Sequence, residues 1–228
     1  MRAVPEAVAR FRDDYRAQQI GPRYRGWLHF GVTTTGALAA IAAALAMVDA
    51  PSLLELATVP ASLLLANVGE YFGHRGPMHH RRKGLALLHL RHTLQHHRFF
   101  TDAAMQVEHS RDFHMVLFPP VMLLFFLGLL ATPVGALLWW TLGRNVGALF
   151  VASAVAYFLS YEWLHFAHHQ PPDSFIGRLP GLARLRRLHS VHHDPRCMSR
   201  YNFNITFPIC DRIFGTYRRE PSEPVRGS

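Results

Sequence analysis

Four long apolar runs divide the chain, and polar stretches rich in histidine lie between and after them. The first run, residues 27–48, is rich in alanine and carries His29 near its start. It is long enough for a hydrocarbon core, which takes about 20 helical residues. Asp49-Ala-Pro-Ser52 then makes a short polar turn in which Pro51 ends the helix. A second run, 53–68, returns the chain, and Pro60 inside it predicts a kink. The third, 119–142, opens on Pro119-Pro120, which suit the first turn of a helix. Gly143-Arg-Asn145 is the turn after it, with Gly143 closing one helix and Asn145 capping the next. Thr132-Pro133 is a rival turn site. It would leave one helix too short and its partner too long, so Pro133 reads as a kink. The fourth run, 146–163, leads directly into His165. The pattern predicts an all-α, integral membrane fold with four transmembrane helices. For the first two runs the alternative is a buried hairpin in a soluble protein.

Charge supplies the orientation. The chain has 228 residues, half of them hydrophobic, and a formal charge of +9. One domain, 1–228, is the expectation at this length. Lys83 and the arginines lie outside the apolar runs, and all but Arg144 fall on one side of the predicted membrane. Such one-sidedness marks cytoplasmic loops and anionic headgroups, not nucleic acid. Both termini, with segments 69–114 and 165–217, then form a cytoplasmic helical cap, on what reads as a bacterial inner membrane. The start, MRAVPEAVARFRDDYRAQQ, is charged and lacks the apolar core of a cleavable signal peptide. It reads as an amphipathic lead-in, with Arg2, Arg10, Arg12, Arg16, Arg23 and Arg25 near the inner face. A basic helix is expected from about Leu182, and disorder after Arg218. Cys197 and Cys210 are too few for a disulfide framework and read as free thiols.

The polar stretches hold four tight histidine groups: His74/His79/His80, His89/His92/His96/His97, His165/His168/His169 and His189/His192/His193. Only His29, His109 and His114 lie elsewhere. Neutral imidazole is the commonest metal ligand, and helical residues three or four apart share a face. A single His-x-x-His-His run fits ordinary packing; four groups in one short chain point to a polynuclear metal site. His74 and His79 would diverge by about 140° on an ideal α-helix. A helix end or bulge near Gly76-Pro77 is therefore expected to bring them together.

The order and spacing of these groups resemble the membrane-bound fatty acid hydroxylase and sterol desaturase superfamily, whose histidine boxes hold two irons. The resemblance runs from about Glu70 to Tyr217. It includes Val116-Leu-Phe-Pro-Pro120, Tyr161-Glu-Trp-Leu-His165 and the stretch from Tyr201 to Thr216. It implies His74, His79, His92, His96, His97, His165, His169, His189, His192 and His193 as metal ligands. The family often has a ligand three residues before the paired histidines, which falls here on Thr93; His92, at four, takes its place. His89 and His168 stand between ligand and supporting roles, and His80 is an extra. Glu162 resembles a family acidic residue that orients a ligating imidazole, although a cap or surface carboxylate fits both it and Glu70.

Attack on an unactivated C–H bond with dioxygen calls for a redox-active metal with open positions, and imidazole suits iron. Zinc cannot change oxidation state, although zinc can occupy a purified sample. The resemblance thus implies a non-haem di-iron lipid monooxygenase: two iron ions, O2 as co-substrate, and an acyl, sterol-like or isoprenoid membrane lipid as substrate. A lipid desaturase is the alternative at the same site. From another class come a membrane metal-binding or transport protein and a b-type haem carrier. A transporter places polar ligands near the bilayer midplane, whereas these runs hold almost no ionisable residue. The chain has no room for a fused redox domain, so electrons are expected from a separate protein, cytochrome b5-like or ferredoxin-like. Glu162-Trp-Leu-His165 also matches the Glu-x-x-His motif of soluble di-iron bundles, but no second such motif accompanies it.

Overall fold

Proline and glycine decide where the apolar runs break. The computed structural model describes residues 4–220. Helix α1 spans Glu6–Gln18 and α2 spans Gly26–Leu45, the latter ending a little before residue 48. A short helix, α3 (Leu53–Leu56), opens on a capping box. The Glu55 N–H donates to Ser52 Oγ at 3.3 Å, and the Ser52 N–H to the Glu55 carboxylate at 2.8 Å. After a break at Ala57 comes α4, Thr58–Gly73. The kink expected at Pro60 therefore sits three residues earlier. The proline ring would clash with the carbonyl four residues back, so the helix yields ahead of the ring. Helix α4 then runs past residue 68 into a π-helical turn, His74–Met78.

Next come α5 (Ala86–His89), a second π-helical segment (Leu90–His96) and α6 (His97–Phe99). Helix α7 covers Phe113–Val116, α8 Val121–Phe126 and α9 Thr132–Leu142. Between α8 and α9 a π turn, Leu127–Ala131, accommodates the bend expected at Pro133. Gly143, at φ 111°, closes α9, a conformation that glycine adopts without a Cβ clash. Helix α10 spans Arg144–His168, α11 Leu182–His192 and α12 Ile209–Ile213. Asn145 does not cap α10. Its side chain accepts the Asp49 N–H and donates to the Asp49 carbonyl, both at 2.9 Å, tying two inter-helix turns together. The Arg218 N–H donates to Asn202 Oδ1 at 2.8 Å, so the chain is ordered to at least that point. The remainder of the expected tail, from residue 221, lies outside the described residues.

The chain divides into two units. The apolar unit comprises Arg25–Ala66 and Leu117–Trp163. It packs around Ala37, Leu123, Ala131, Ala154, Val155 and Leu159. A Cβ on Gly147 would come within 2.5 Å of the Gly135 carbonyl oxygen, so α9 and α10 approach closely at small residues, a habit of helices in lipid. Its outer surface exposes Leu53, Leu54, Leu124, Leu129 and Trp140. So much exposed apolar area marks a surface that meets lipid or a partner rather than water. Four helical stretches are long and apolar enough to cross a membrane: Gly26–Leu45, Leu53–Met78, Ser110–Leu142 and Arg144–His168. The fold is all-α, without a strand among the described residues.

The second unit holds the described residues up to Tyr24, Asn67–Val116 and those from Leu164 onward. All four histidine groups belong to it.

Candidate metal centre

The π turns solve the spacing problem posed by the sequence. A π-helical turn closes five residues on, not four. His74 and His79, five apart across His74–Met78, therefore face the same way, with Nε2 atoms 3.2 Å apart. The expected bulge is at the expected place. The segment Leu90–His96 does the same for His92 and His97, whose Nε2 atoms are 3.0 Å apart. On α10 and just beyond it, His165 and His169 use ordinary i, i+4 spacing, as do His189 and His193 at the end of α11.

These elements bring the histidines into two buried groups. The first is His74, His79, His92, His97 and His192; the second is His96, His165, His169 and His189. Within each group the candidate ligand nitrogens lie within 4.8 Å of one another. His193 joins the second, its Nε2 standing 3.2 Å from His96 Nε2 and 3.1 Å from His189 Nε2. In the first group, His74 and His92 present Nε2 atoms at 2.7 Å, and His79 and His192 at 3.0 Å. All ten residues implied as ligands are accounted for by these groups. His89 and His168 are not among them. His89 is half-buried with Nδ1 3.2 Å from the Met78 carbonyl, and His168 donates Nε2–H to the Ile205 carbonyl at 3.0 Å. His80 is exposed.

Proton bookkeeping tests whether a metal fits. His96 Nδ1 faces the Met115 carbonyl at 3.0 Å, and His193 Nδ1 faces the Phe100 carbonyl at 2.6 Å. A carbonyl only accepts, so each ring carries its proton on Nδ1 and leaves Nε2 a bare lone pair. Those two lone pairs confront each other at 3.2 Å in a buried site. The same holds of His74 and His192, whose Nδ1 atoms face the carbonyls of Phe203 (2.5 Å) and Tyr201 (2.8 Å), and of His169 facing Met105 (2.7 Å). Lone pairs converging without protons between them are what cations bind, and imidazoles with their second nitrogen tied to a carbonyl are the usual form of a metal-ligating histidine. The donor set fits metal.

Burial keeps the rings neutral and ready for a cation. It pushes His96 down to about 4, partly opposed by its bond to Met115. His92, His97, His169, His189, His192 and His193 are likewise pushed well below the ordinary imidazole value, first by burial and then by neighbouring rings.

Other side chains differ from their expected roles. Glu162 is buried, but its carboxylate accepts the Phe118 N–H, at 3.3 Å to each oxygen, not a histidine ring. Thr93, at the position where the family often has a ligand, donates Oγ1–H to the Met78 carbonyl at 2.7 Å and stands 3.4 Å from His79 Nδ1. Glu70 is no surface carboxylate: it accepts the backbone N–H groups of Ile205 and Thr206 and the Thr206 hydroxyl. Asp211, fully buried, accepts the N–H groups of Phe203 (2.9 Å) and Asn204 (2.8 Å) and the Thr216 hydroxyl (2.6 Å). The carbonyls of Tyr201, Phe203 and Ile205 in the irregular stretch 201–205 thus aim His192, His74 and His168, while Asp211 and Glu70 grip its N–H groups. Sequence reading missed Asp211 and the carbonyls. The stretch from Tyr201 to Thr216 signalled importance, but backbone acceptors leave no mark in a sequence. Arg12, read only as one of several arginines near the inner face, is buried, 1% exposed.

Comparison with known proteins agrees with the chemistry. The family model described as fatty acid hydroxylase matches residues 59–216, which include both histidine groups. No curated protein and no solved structure matches the chain.

Proposed function

The chain belongs to the fatty acid hydroxylase family, and from that premise we propose that it is a di-iron oxygenase hydroxylating an acyl or isoprenoid-type membrane lipid. Membership makes it an oxidoreductase of membrane lipids, and its four apolar helices make it an integral membrane protein. The observation that carries the finer reading is the pair of buried histidine groups in which five rings, their Nδ1 atoms on carbonyls, turn a bare Nε2 inward. His74, His79, His92, His97 and His192 would hold one ion; His96, His165, His169, His189 and His193 would hold the other. Iron bound there would supply dioxygen activation with electrons from a separate cytochrome b5-like or ferredoxin-like protein. Five of the rings, His74, His96, His169, His192 and His193, keep their Nδ1 protons on backbone carbonyls and would offer neutral Nε2 ligands to the ions. The apolar unit offers hydrocarbon to a lipid tail, and the arginine excess favours a cytoplasmic site, on a bacterial inner membrane.

Hydroxylation is preferred to desaturation because Leu117-Phe-Pro-Pro120 and the stretch from Asn202 to Thr216 resemble the hydroxylase branch more closely. Incubating iron-loaded protein with reductant, membrane lipid and labelled dioxygen tests this. One labelled oxygen atom is expected in the lipid product. A new double bond without label would assign a desaturase, and turnover without oxygen would end the oxygenase reading. Elemental analysis showing iron without a Soret band would set aside haem.

A further inference from the structure

The amino-terminal helix touches the metal centre's scaffold through one side chain. Arg12, on α1, donates Nε–H to the Phe99 carbonyl (2.8 Å) and Nη2–H to the Ala104 carbonyl (2.6 Å). Its Nη1 pairs with Glu108 at 2.8 Å, and the guanidinium lies over the rings of Phe99 and Phe100 at 5.1 and 5.3 Å. The next peptide along from each bonded carbonyl holds a histidine of the second group. The Phe100 carbonyl accepts from His193, and the Met105 carbonyl from His169. Arg16 extends the grip, its guanidinium at 2.9 Å from both Asp112 oxygens, and Asp112 precedes Met115, which aims His96.

Residues 100–109 have no helix to fix their carbonyls. A planar guanidinium with five donors holds two carbonyls and a carboxylate at once, whereas an ammonium is a single flexible point of attachment. We infer that Arg12 is a positioning residue for the second histidine group, so that α1 is a working part of the metal centre and not a membrane lead-in. The inference rests on the two-metal reading above. Arg12 aims His169 and His193; it makes no contact with the carbonyls of Tyr201 and Phe203 that aim His192 and His74 of the first group.

The test is anaerobic ferrous titration of the full chain in detergent, with bound metal counted and its release to a chelator timed. The wild type is expected to hold two ions; failure there would count against the proposed function, not this inference. Arg12→Lys keeps the charge but loses the fork, and is expected to hold one ion normally and the other roughly 10–100-fold more weakly. Arg12→Gln serves if lysine prevents folding. Combining Arg12→Lys with His192→Ala, which removes a first-group ligand, should leave neither ion tightly bound, whereas His192→Ala alone keeps one. Arg10→Lys, exposed on the same helix, should change nothing. Two ions at wild-type affinity in Arg12→Lys would overturn the inference. So would equal weakening of both, or loss confined to the first group.

Discussion

The two histidine groups use the same ligand but aim it by different means. In the second group, His96, His169 and His193 each donate Nδ1–H to a carbonyl from residues 100–115. His165 is bonded likewise to the backbone at Val116. That stretch is gripped from outside by cations, Arg12 and Arg16. In the first group only His74 and His192 have carbonyl partners, both in the stretch 201–203, and that stretch is gripped by the carboxylates of Asp211 and Glu70. His79 depends on a hydroxyl, Thr93. Asp211 and Glu70 hold backbone N–H groups of one stretch, whereas Arg12 holds carbonyls of the other and Arg16 its Asp112 carboxylate, so the two stretches are anchored by different side chains. The groups should therefore fail separately.

Removing a ligand from either group gives the largest effect. His192→Ala should abolish the first ion and His169→Ala the second, each leaving one metal per chain by elemental analysis and at least 100-fold less activity. His109→Ala is the contrast: exposed and paired only with Asp112, it should keep both ions. Loss of both ions from a single ligand substitution would show one coupled cluster in place of two groups.

Next in size is the carboxylate anchor. Asp211→Asn turns one acceptor oxygen into an NH2, which must face the Phe203 or Asn204 N–H. The carbonyls behind them lose their fixed positions, and His74 loses its aim. Roughly 10-fold weaker binding of one ion is expected, with the other unchanged. The same readout then separates Asp211 from Arg12.

Much of this was legible because periodicity reports what a side chain does to its own helix. The four spans, the turn at Gly143 and the helix from Leu182 follow from apolar runs and breakers. So does the bulge that unites His74 with His79, since five-residue spacing demands one. What escaped was non-local. Asn145 looks like a cap until Asp49, 96 residues away along the chain, is seen bonded to it. Glu162 looks like an imidazole partner because it lies one turn from His165, yet it bonds the Phe118 N–H. Arg12 counts as one more cytoplasmic charge in any tally, and only the fold shows it buried on two carbonyls.

A pH series probes what the groups share. The unfolded chain's histidines titrate near 6.5, whereas burial holds His96 near 4 and pushes His92, His97, His169, His189, His192 and His193 down. At His92, His96, His97, His169, His189, His192 and His193 the unfolded state of the metal-free protein therefore binds more protons than the folded state between these values. Stability is thus fully present above about pH 6.5 and lost as pH falls toward 4, by about 1.4 kcal/mol per unit for each ring. The thermal midpoint of metal-stripped protein should drop steeply between pH 7 and 5, and much less with metal bound. A flat profile would mean that the rings are solvated or already charged.

The smallest expected effect falls on Thr93 and sharpens the contrast most. Its hydroxyl gives its proton to the Met78 carbonyl and so offers a lone pair to His79 Nδ1–H. Thr93→Val keeps the shape and removes the hydroxyl, leaving the Met78 carbonyl and the ring N–H without these partners. A lost neutral hydrogen bond costs about 1 kcal/mol, so the first ion should bind several-fold more weakly. The second should be unaffected, because the carbonyls that aim its rings belong to the backbone and survive any side-chain change at this position. Chelator-release kinetics resolve such a change, as two phases of which only one accelerates. If both phases accelerate together, the groups share a scaffold and the division between carboxylate and guanidinium anchors does not hold.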